Sequence, residues 1–170
     1  PTYEPRTLAL GVNTDAYQPI ERTYRITRSI LEVLQEFRHP VGLVTKSALV
    51  TRDVDILSEM AAHDLAKVAI SMTTLDARLA RKMEPRASTP AKRLAAIETL
   101  SRAGVPVVVM MGPIIPGLND HEIENILKAA SAAGATEAGY TMLRLPFEVK
   151  GIFKDWLQKE YPDRFAKVMA

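Results

Sequence analysis

Cysteine is absent from the 170 residues of this chain. That excludes disulfides and thiolate metal sites within it. Long apolar runs are missing too. None approaches the ~20 residues that a membrane-spanning helix needs, and no stretch reads as a secretory signal, so no membrane partner is expected. There is no glycine-rich phosphate loop of the P-loop or dinucleotide type, and no G-x-S-x-G nucleophile elbow. The histidines, His39, His63 and His121, sit at turns or helix ends without metal-ligand spacing. A large charge surplus is lacking as well. The formal net charge is only +2, so the pI of about 9.0 does not by itself argue for a nucleic-acid partner.

What remains is an ordinary globular mix, 47% hydrophobic and 25% charged. The length suits one domain over residues 1–170. A chain of this size buries roughly 70% of the surface its unfolded form exposes, enough for a core without staples. The lack of cysteine is compatible with a cytoplasmic setting, which is the expectation. The first residue is Pro1, and the chain stops at Ala170 inside a helix-like run, DRFAKVMA. A piece of a longer protein is expected.

Hydrophobic periodicity gives the order of elements. Thr7–Val12 is a short apolar run, read as a strand. Pro19 then suits a first helical turn. Ile20, Tyr24, Thr27, Leu31 and Leu34 recur at helical spacing, with Ile30 and Phe37 beside them, so one helix is expected to about Arg38. Val41–Thr45 is a second strand, followed by a helix over about Val54–His63. Lys67–Met72 is a third, followed by a short helix, Asp76–Lys82, that stops before Pro85. Ser88 or Thr89 caps the next helix, with Leu94, Ile97 and Leu100 inward and Gly104 at its left-handed end. Val105–Met111 is apolar on consecutive residues, which suits a strand buried on both faces. Asn119 with Glu122 resembles a capping box. Glu137–Leu145 is a fifth strand. A last helix over about Val149–Glu160 places Ile152, Phe153, Trp156 and Leu157 on one side.

Five successive βα units imply an α/β protein with a parallel sheet. A closed barrel of this type has eight strands. Five leave open a partial TIM-like barrel or a doubly wound sheet. In either, ligands bind at the carboxyl ends of the strands. Those ends collect Asn13, Thr14 and Asp15, then Lys46 and Ser47, then Ser71, Thr73 and Thr74, then Pro113 to Asn119 with Ile115 and Gly117, and last Tyr140, Thr141 and Arg144. A zwitterionic ligand suits this rim, with Asp15 for an amino group, Lys46 for a carboxylate and Ser71 for a hydroxyl. Tyr17, Tyr140 and Arg144 are candidates for the substrate side. Spacing leaves blander readings open: an Asx turn at Asn13–Asp15, a solvated lysine at Lys46, a stiff loop at PIIPG and a helix stop at Glu84-Pro85. Arg22, Arg25 and Arg28 lie three apart and share one face if the first helix is continuous, with a solvated surface as the default.

Four stretches together resemble a known family. GVNTDAYQPIE (Gly11–Glu21), LVTKSALVTRD (Leu43–Asp53), ISMTTLDARLARKMEPRASTPAKRLAAIETLSRAG (Ile70–Gly104) and PIIPGLND (Pro113–Asp120) are similar to the radical S-adenosylmethionine proteins close to spore photoproduct lyase. The likeness covers almost the whole chain in order. It implies five parallel strands remaining of a (β/α)6 radical SAM core, with S-adenosylmethionine and a 4Fe–4S cluster as cofactors. By that likeness, Asn13, Thr14 and Asp15 match the loop near the methionyl amino group. Lys46 matches a lysine at the methionyl carboxylate, and Ser71 a serine near the ribose. Pro113–Gly117 matches the segment flanking adenine. Glu84-Pro85 matches a Glu-Pro pair to which the sequence attaches no mechanism.

The chain departs from the family in two places. The C-x3-C-x2-C loop that holds the cluster is missing, so the cluster ligands are expected outside this chain, and the chain alone is expected to be inactive. Where the lyase has a hydrogen-donating cysteine this chain has Val12, so repair of the spore thymine dimer is not expected. The substrate is left open, nucleic acid included. Two alternatives stand beside this reading: a lyase- or aldolase-type barrel enzyme with Lys46 as Schiff-base nucleophile, and a non-catalytic binding domain. If a preceding strand is absent, Thr7–Val12 is an exposed sheet edge. Cover by Thr2–Arg6, or self-association through that edge, is then expected.

Overall fold

The apolar runs become five parallel strands of one sheet: β1 (Leu8–Leu10), β2 (Val41–Thr45), β3 (Ala66–Ser71), β4 (Val107–Ile114) and β5 (Glu137–Met142). The structure, a computed structural model, describes residues 3–169. The strands lie side by side in chain order. A doubly wound sheet reverses its strand order and carries helices on both faces. Sequential order with crossovers of one hand winds every helix onto the same side. The chain is therefore a partial (β/α) barrel.

The alternation of side chains along the strands separates its two faces. Val41, Leu43 and Thr45, then Ala66, Val68 and Ile70, then Val107, Val109 and Met111 are buried, and they stand in register across the sheet. They pack under α2 (Ile26–Glu36), α3 (Val54–Ala61), α5 (Pro90–Arg102) and α6 (Ile123–Ala132) through Leu31, Leu57, Met60, Ile97, Leu100 and Ile126. The opposite, inner face carries Gly42, Val44, Ala69, Val108 and Met110, which are half-buried, and an exposed Lys67. The expectation that the fourth strand is buried on both faces fails here, because the inner face of a partial barrel has no second layer over it.

One expected helix is two. A short α1 (Glu21–Tyr24) ends at Arg25, whose φ of 51° is left-handed, before α2 begins. The Glu21 Oε1 accepts from the Thr27 backbone N–H at 2.8 Å and caps the second helix. Thr27, Leu31 and Leu34 keep the inward face, while Ile20 and Tyr24 turn out to solvent. Arg22 therefore lies on α1, Arg25 at the junction and Arg28 on α2, without the continuous helix that one shared face requires.

The remaining helices are α4 (Ala77–Met83), α7 (Val149–Glu160) and α8 (Phe165–Met169). Leu157 of α7 is buried with Leu79, Ile115 and Leu118 in a second, smaller cluster, and Phe153, Trp156 and Phe165 pack around it. Ile152, expected inward, is exposed. At the other sheet edge, β1 is three residues long, and Leu8 and Ala9 are exposed. Among the described residues nothing covers that edge. Residues 3–6 pair with no strand, and Tyr3 stacks on His39 instead. Thr2 lies outside the described residues.

Candidate functional site

Where the strands end, side chains from four of them join in one hydrogen-bonded path, with Glu84 at its middle. Glu84 follows α4, and its side chain is 9% exposed. Its Oε1 accepts from Lys46 Nζ at 2.6 Å, just past β2, and from the Thr73 hydroxyl at 2.8 Å, just past β3. Its Oε2 accepts from Arg93 of α5 at 2.5 Å. Arg93 is itself buried. It donates to the Ser71 carbonyl at 2.9 Å and the Ser88 carbonyl at 2.8 Å. Burial alone would push the Glu84 carboxyl up, but the Arg93 and Lys46 charges outweigh it and hold it below its ordinary value. The Glu84-Pro85 pair is thus more than a helix stop. The sequence carried a sign of this: Arg93 lies four residues before Ile97 and seven before Leu100, on the inward face of α5.

Asp15 closes the path on the β1 side. Its Oδ1 accepts from the Tyr17 N–H at 2.8 Å and the Thr45 hydroxyl at 2.6 Å, and its Oδ2 accepts from the Lys46 N–H at 2.8 Å. The Asx turn and the link to Lys46 are both present in one carboxylate.

Asn119 closes it on the β4 side. The Thr73 hydroxyl shares its proton with the Gly112 carbonyl at 3.1 Å. Asn119 Nδ2 donates to the Thr73 carbonyl at 2.9 Å and the Pro113 carbonyl at 3.0 Å, and its Oδ1 accepts from the Ile115 N–H at 2.6 Å. The expected capping box is therefore not formed. Asn119 is turned into the Pro113–Leu118 loop, and Glu122 reaches across to the Thr74 hydroxyl at 2.5 Å and the Leu75 N–H at 2.8 Å.

A separate ion cluster locks the segment after β1 against the 3-10 turn Ala48–Asp53 after β2. The buried Asp53 accepts from Arg52, Arg28 and the Tyr17 hydroxyl, and Arg52 also holds the Glu21 carboxylate. Burial and the Asp53 carboxylate beside it push the Tyr17 hydroxyl up from its ordinary value. The Tyr17 hydroxyl, expected on the substrate side, is donated within the protein, while its ring touches the cleft described below.

Other candidates separate in the same way. Ser71 stands in register with Met110 on the inner face. Its hydroxyl has no partner among the described residues, and no described buried side-chain polar atom lacks one, so this hydroxyl reaches solvent. Asn13 and Thr14 are exposed and Pro113 is half-exposed. Ile115 is fully buried, and its N–H is taken by Asn119. Gly117 is buried beneath α8. Its carbonyl accepts from Arg164, and the side chain of Lys167 lies over it. Neither is free to line a ligand; they shape the loop. Tyr140 is exposed but stands in register with Met111, which puts it on the helix side of the sheet and not the inner face. Arg144 is exposed beyond β5. Lys46, ion-paired and with a 38% exposed side chain, lacks the dry pocket that a Schiff-base lysine requires.

Thr14, Asp15 and Tyr17 on one side, Lys46 and Ser47 at the base, and Glu84 to Thr89 on the other enclose a cleft of about 710 Å³. Ser71 lies outside that lining. Among the described residues no group of three or more His, Asp or Glu side chains is placed to hold a metal ion, and no helix is long and apolar enough to cross a membrane.

Comparison with known proteins gives the geometry a context. The Radical SAM superfamily profile matches residues 6–130. An uncharacterised protein of Mycobacterium tuberculosis is 34% identical over 165 residues, covering 96% of this chain and 48% of that protein. Another, from Methanocaldococcus jannaschii, is 30% identical over 155 residues, covering 89% of this chain and 55% of that protein. The chain spans about half the length of these relatives. A spore photoproduct lyase mutant, solved with bound AdoMet and dinucleoside spore photoproduct, has a similar fold. Its TM-score is 0.62 at 17% identity, over 94% of this chain and 46% of that one.

Proposed function

The chain belongs to the Radical SAM superfamily, and from that premise we propose that it is the S-adenosylmethionine-binding part of a radical enzyme whose substrate is undefined. The reading is supported above all by the continuous path from Asp15 through Lys46, Glu84 and Thr73 to Pro113. It gathers at one rim the polar groups that the strands bring there.

The donor set suits the cofactor in part. Lys46 presents an ammonium for a carboxylate, and its backbone is pinned by Asp15. Ser71 presents a hydroxyl without an internal partner, and Pro113 offers a half-exposed apolar surface held in place by Asn119. Thr73 acts through its neighbours, since its hydroxyl is already donated. The iron–sulfur cluster is a different matter. This chain has no cysteine to ligate it, so cluster ligands are proposed outside the chain.

Bound at this rim, S-adenosylmethionine would supply radical chemistry on one-electron reduction. The chain's own residues bind and orient. Glu84 holds the Lys46 ammonium at the rim and keeps Arg93 paired, and Arg93 in turn fixes the end of β3 through the Ser71 carbonyl. Positions set by buried ionic contacts vary little, which is what placing a cofactor against a substrate requires.

The test is a titration of the ¹⁵N-labelled chain with S-adenosylmethionine, read by amide chemical shifts. Shifts at Asp15, Lys46 and Ser71, weakened in Lys46→Ala and Ser71→Ala, are expected. Saturating ligand without shifts at this rim would overturn the assignment.

A further inference from the structure

The cleft beside the rim contains more positive charge than the proposed cofactor site uses. One wall is the segment after β1, with Arg22 at its outer end. The opposite wall runs from Met83 to Thr89 and includes Arg86, with Lys92 beyond it on α5. Four cations line the cleft, Arg22, Lys46, Arg86 and Lys92, against two carboxylates, Asp15 and Glu84. Both carboxylates are already engaged, Asp15 by three donors and Glu84 by Lys46, Thr73 and Arg93. Among the described residues, no carboxylate or other side chain pairs with Arg22, Arg86 or Lys92. Arg28, Arg52, Arg93 and Arg102 each have a carboxylate within 3.2 Å, while other arginines outside the cleft, such as Arg38, Arg78 and Arg144, have none among the described residues. What sets Arg22, Arg86 and Lys92 apart is that they converge on one concavity.

We propose that the outer part of this cleft, beyond the Asp15 and Lys46 that the cofactor reading uses, binds a phosphate-bearing ligand, with Arg22, Arg86 and Lys92 as its anion-binding groups. Guanidinium forks match the oxygens of phosphate, as of carboxylate, in pairs, and three converging cations suit the larger charge of a phosphate better than that of one carboxylate or a neutral ligand. The cleft as a whole, its Asp15 and Lys46 end included, is about 710 Å³, within the range of small-molecule sites. Cations on both walls of one concavity also reinforce each other's field in a way that cations scattered over a convex surface do not. The proposal does not rest on the cofactor reading. The three residues are separate from Ser71, and S-adenosylmethionine carries no phosphate.

The experiment titrates the chain with inorganic pyrophosphate and, separately, with a short oligothymidylate, by calorimetry and amide shifts. Binding of pyrophosphate is expected, with shifts at Arg22, Ala87 and Lys92, and it should weaken as salt is raised. In the triple variant Arg22→Gln, Arg86→Gln, Lys92→Gln, affinity should fall at least about tenfold. All three side chains are exposed and unpaired, so the variant should keep the wild-type circular dichroism and the S-adenosylmethionine-induced shift at Ser71. Tighter binding of the oligonucleotide than of pyrophosphate would assign the phosphate to a nucleic-acid backbone. Equal or weaker binding would assign it to a small phosphorylated molecule. No pyrophosphate or oligonucleotide binding, or binding that the triple variant leaves unchanged, would overturn the proposal. Loss of the Ser71 shift with pyrophosphate binding intact would count against the cofactor reading alone.

Discussion

The carboxyl end of the sheet is held together in two ways. Over β1 to β3 the loops are tied by charge: Glu21, Arg52, Asp53 and Arg28 in one cluster, Lys46, Glu84 and Arg93 in another. Over β4 and β5 they are tied by an apolar cluster, Ile115, Leu118 and Leu157, with Asn119 supplying the hydrogen bonds. The difference reflects what each half offers to bury. The segments after β1 to β3 are rich in charged and hydroxyl side chains, and these remain in a low-dielectric setting only when paired. The PIIPGL loop has apolar side chains and backbone groups alone, so α7 and α8 supply the cover. Ionic ties are directional and fix side chains at chosen places, and that half carries the cleft. The apolar half fixes a loop shape, and its charges, Arg164 and Lys167 over Gly117 and the Lys82–Glu160 pair, stay at its partly exposed margin.

Breaking the ionic half should have the largest effect. Arg93→Met leaves the buried Glu84 with Lys46 as its one charged partner, beside the Thr73 hydroxyl, and orphans two carbonyls. A loss of about 3–5 kcal/mol in urea unfolding is expected. Adding Glu84→Gln to that variant should recover part of it, since the uncompensated charge is then gone. A loss below about 1 kcal/mol would mean that the network is not holding the loops. Next is the apolar half. Leu157→Ala should lose about 2–5 kcal/mol. That loss should be insensitive to salt, and faster amide exchange should be confined to Pro113–Asn119. Asn119→Ala comes third, at about 1–3 kcal/mol, because the Ile115 N–H loses its acceptor and the Thr73 and Pro113 carbonyls lose a donor. The pair of variants separates the two contributions to the loop's shape.

Acid should discriminate the halves with the smallest perturbation. Glu84 and Asp53 are both held below the free values of 4.5 and 3.8, with burial opposed and outweighed by Arg93 and Lys46 for the first and by Arg52 and Arg28 for the second. A depressed carboxylate contributes stability that is fully present above its unfolded value and is lost as pH falls through its folded value. Below pH 4.5, amide exchange around Lys46 and Asp53 should therefore rise before that around Leu118 and Leu157. Simultaneous loosening of both halves would show that the sheet opens as one unit.

Much of the fold was legible. Val41–Thr45 and Val149–Glu160 have the bounds that periodicity assigns, and Thr89, Pro90 and Gly104 punctuate α5 as their backbone preferences dictate. The break at Arg25 was not legible, because the contact that accompanies it, from Thr27 N–H to Glu21 six residues back, falls outside the three- and four-residue spacings of a helix. The site was half legible. Asp15, Lys46 and Thr73 do meet, but the carboxylate that joins Lys46 to Thr73 lies in a segment that reads as a helix stop. Tyr17, Tyr140, Ile115 and Gly117 look available in one dimension and are engaged or turned away in three.

The amino-acid order by itself settled the alternation of strand and helix and the gathering of polar residues after each strand. Both follow from local periods of side-chain burial and from backbone preferences at single residues. Only the folded chain decided which charges face one another. Lys46 and Glu84, or Tyr17 and Asp53, become neighbours because adjacent parallel strands release their loops at the same end of the sheet, and no spacing along the chain carries that information.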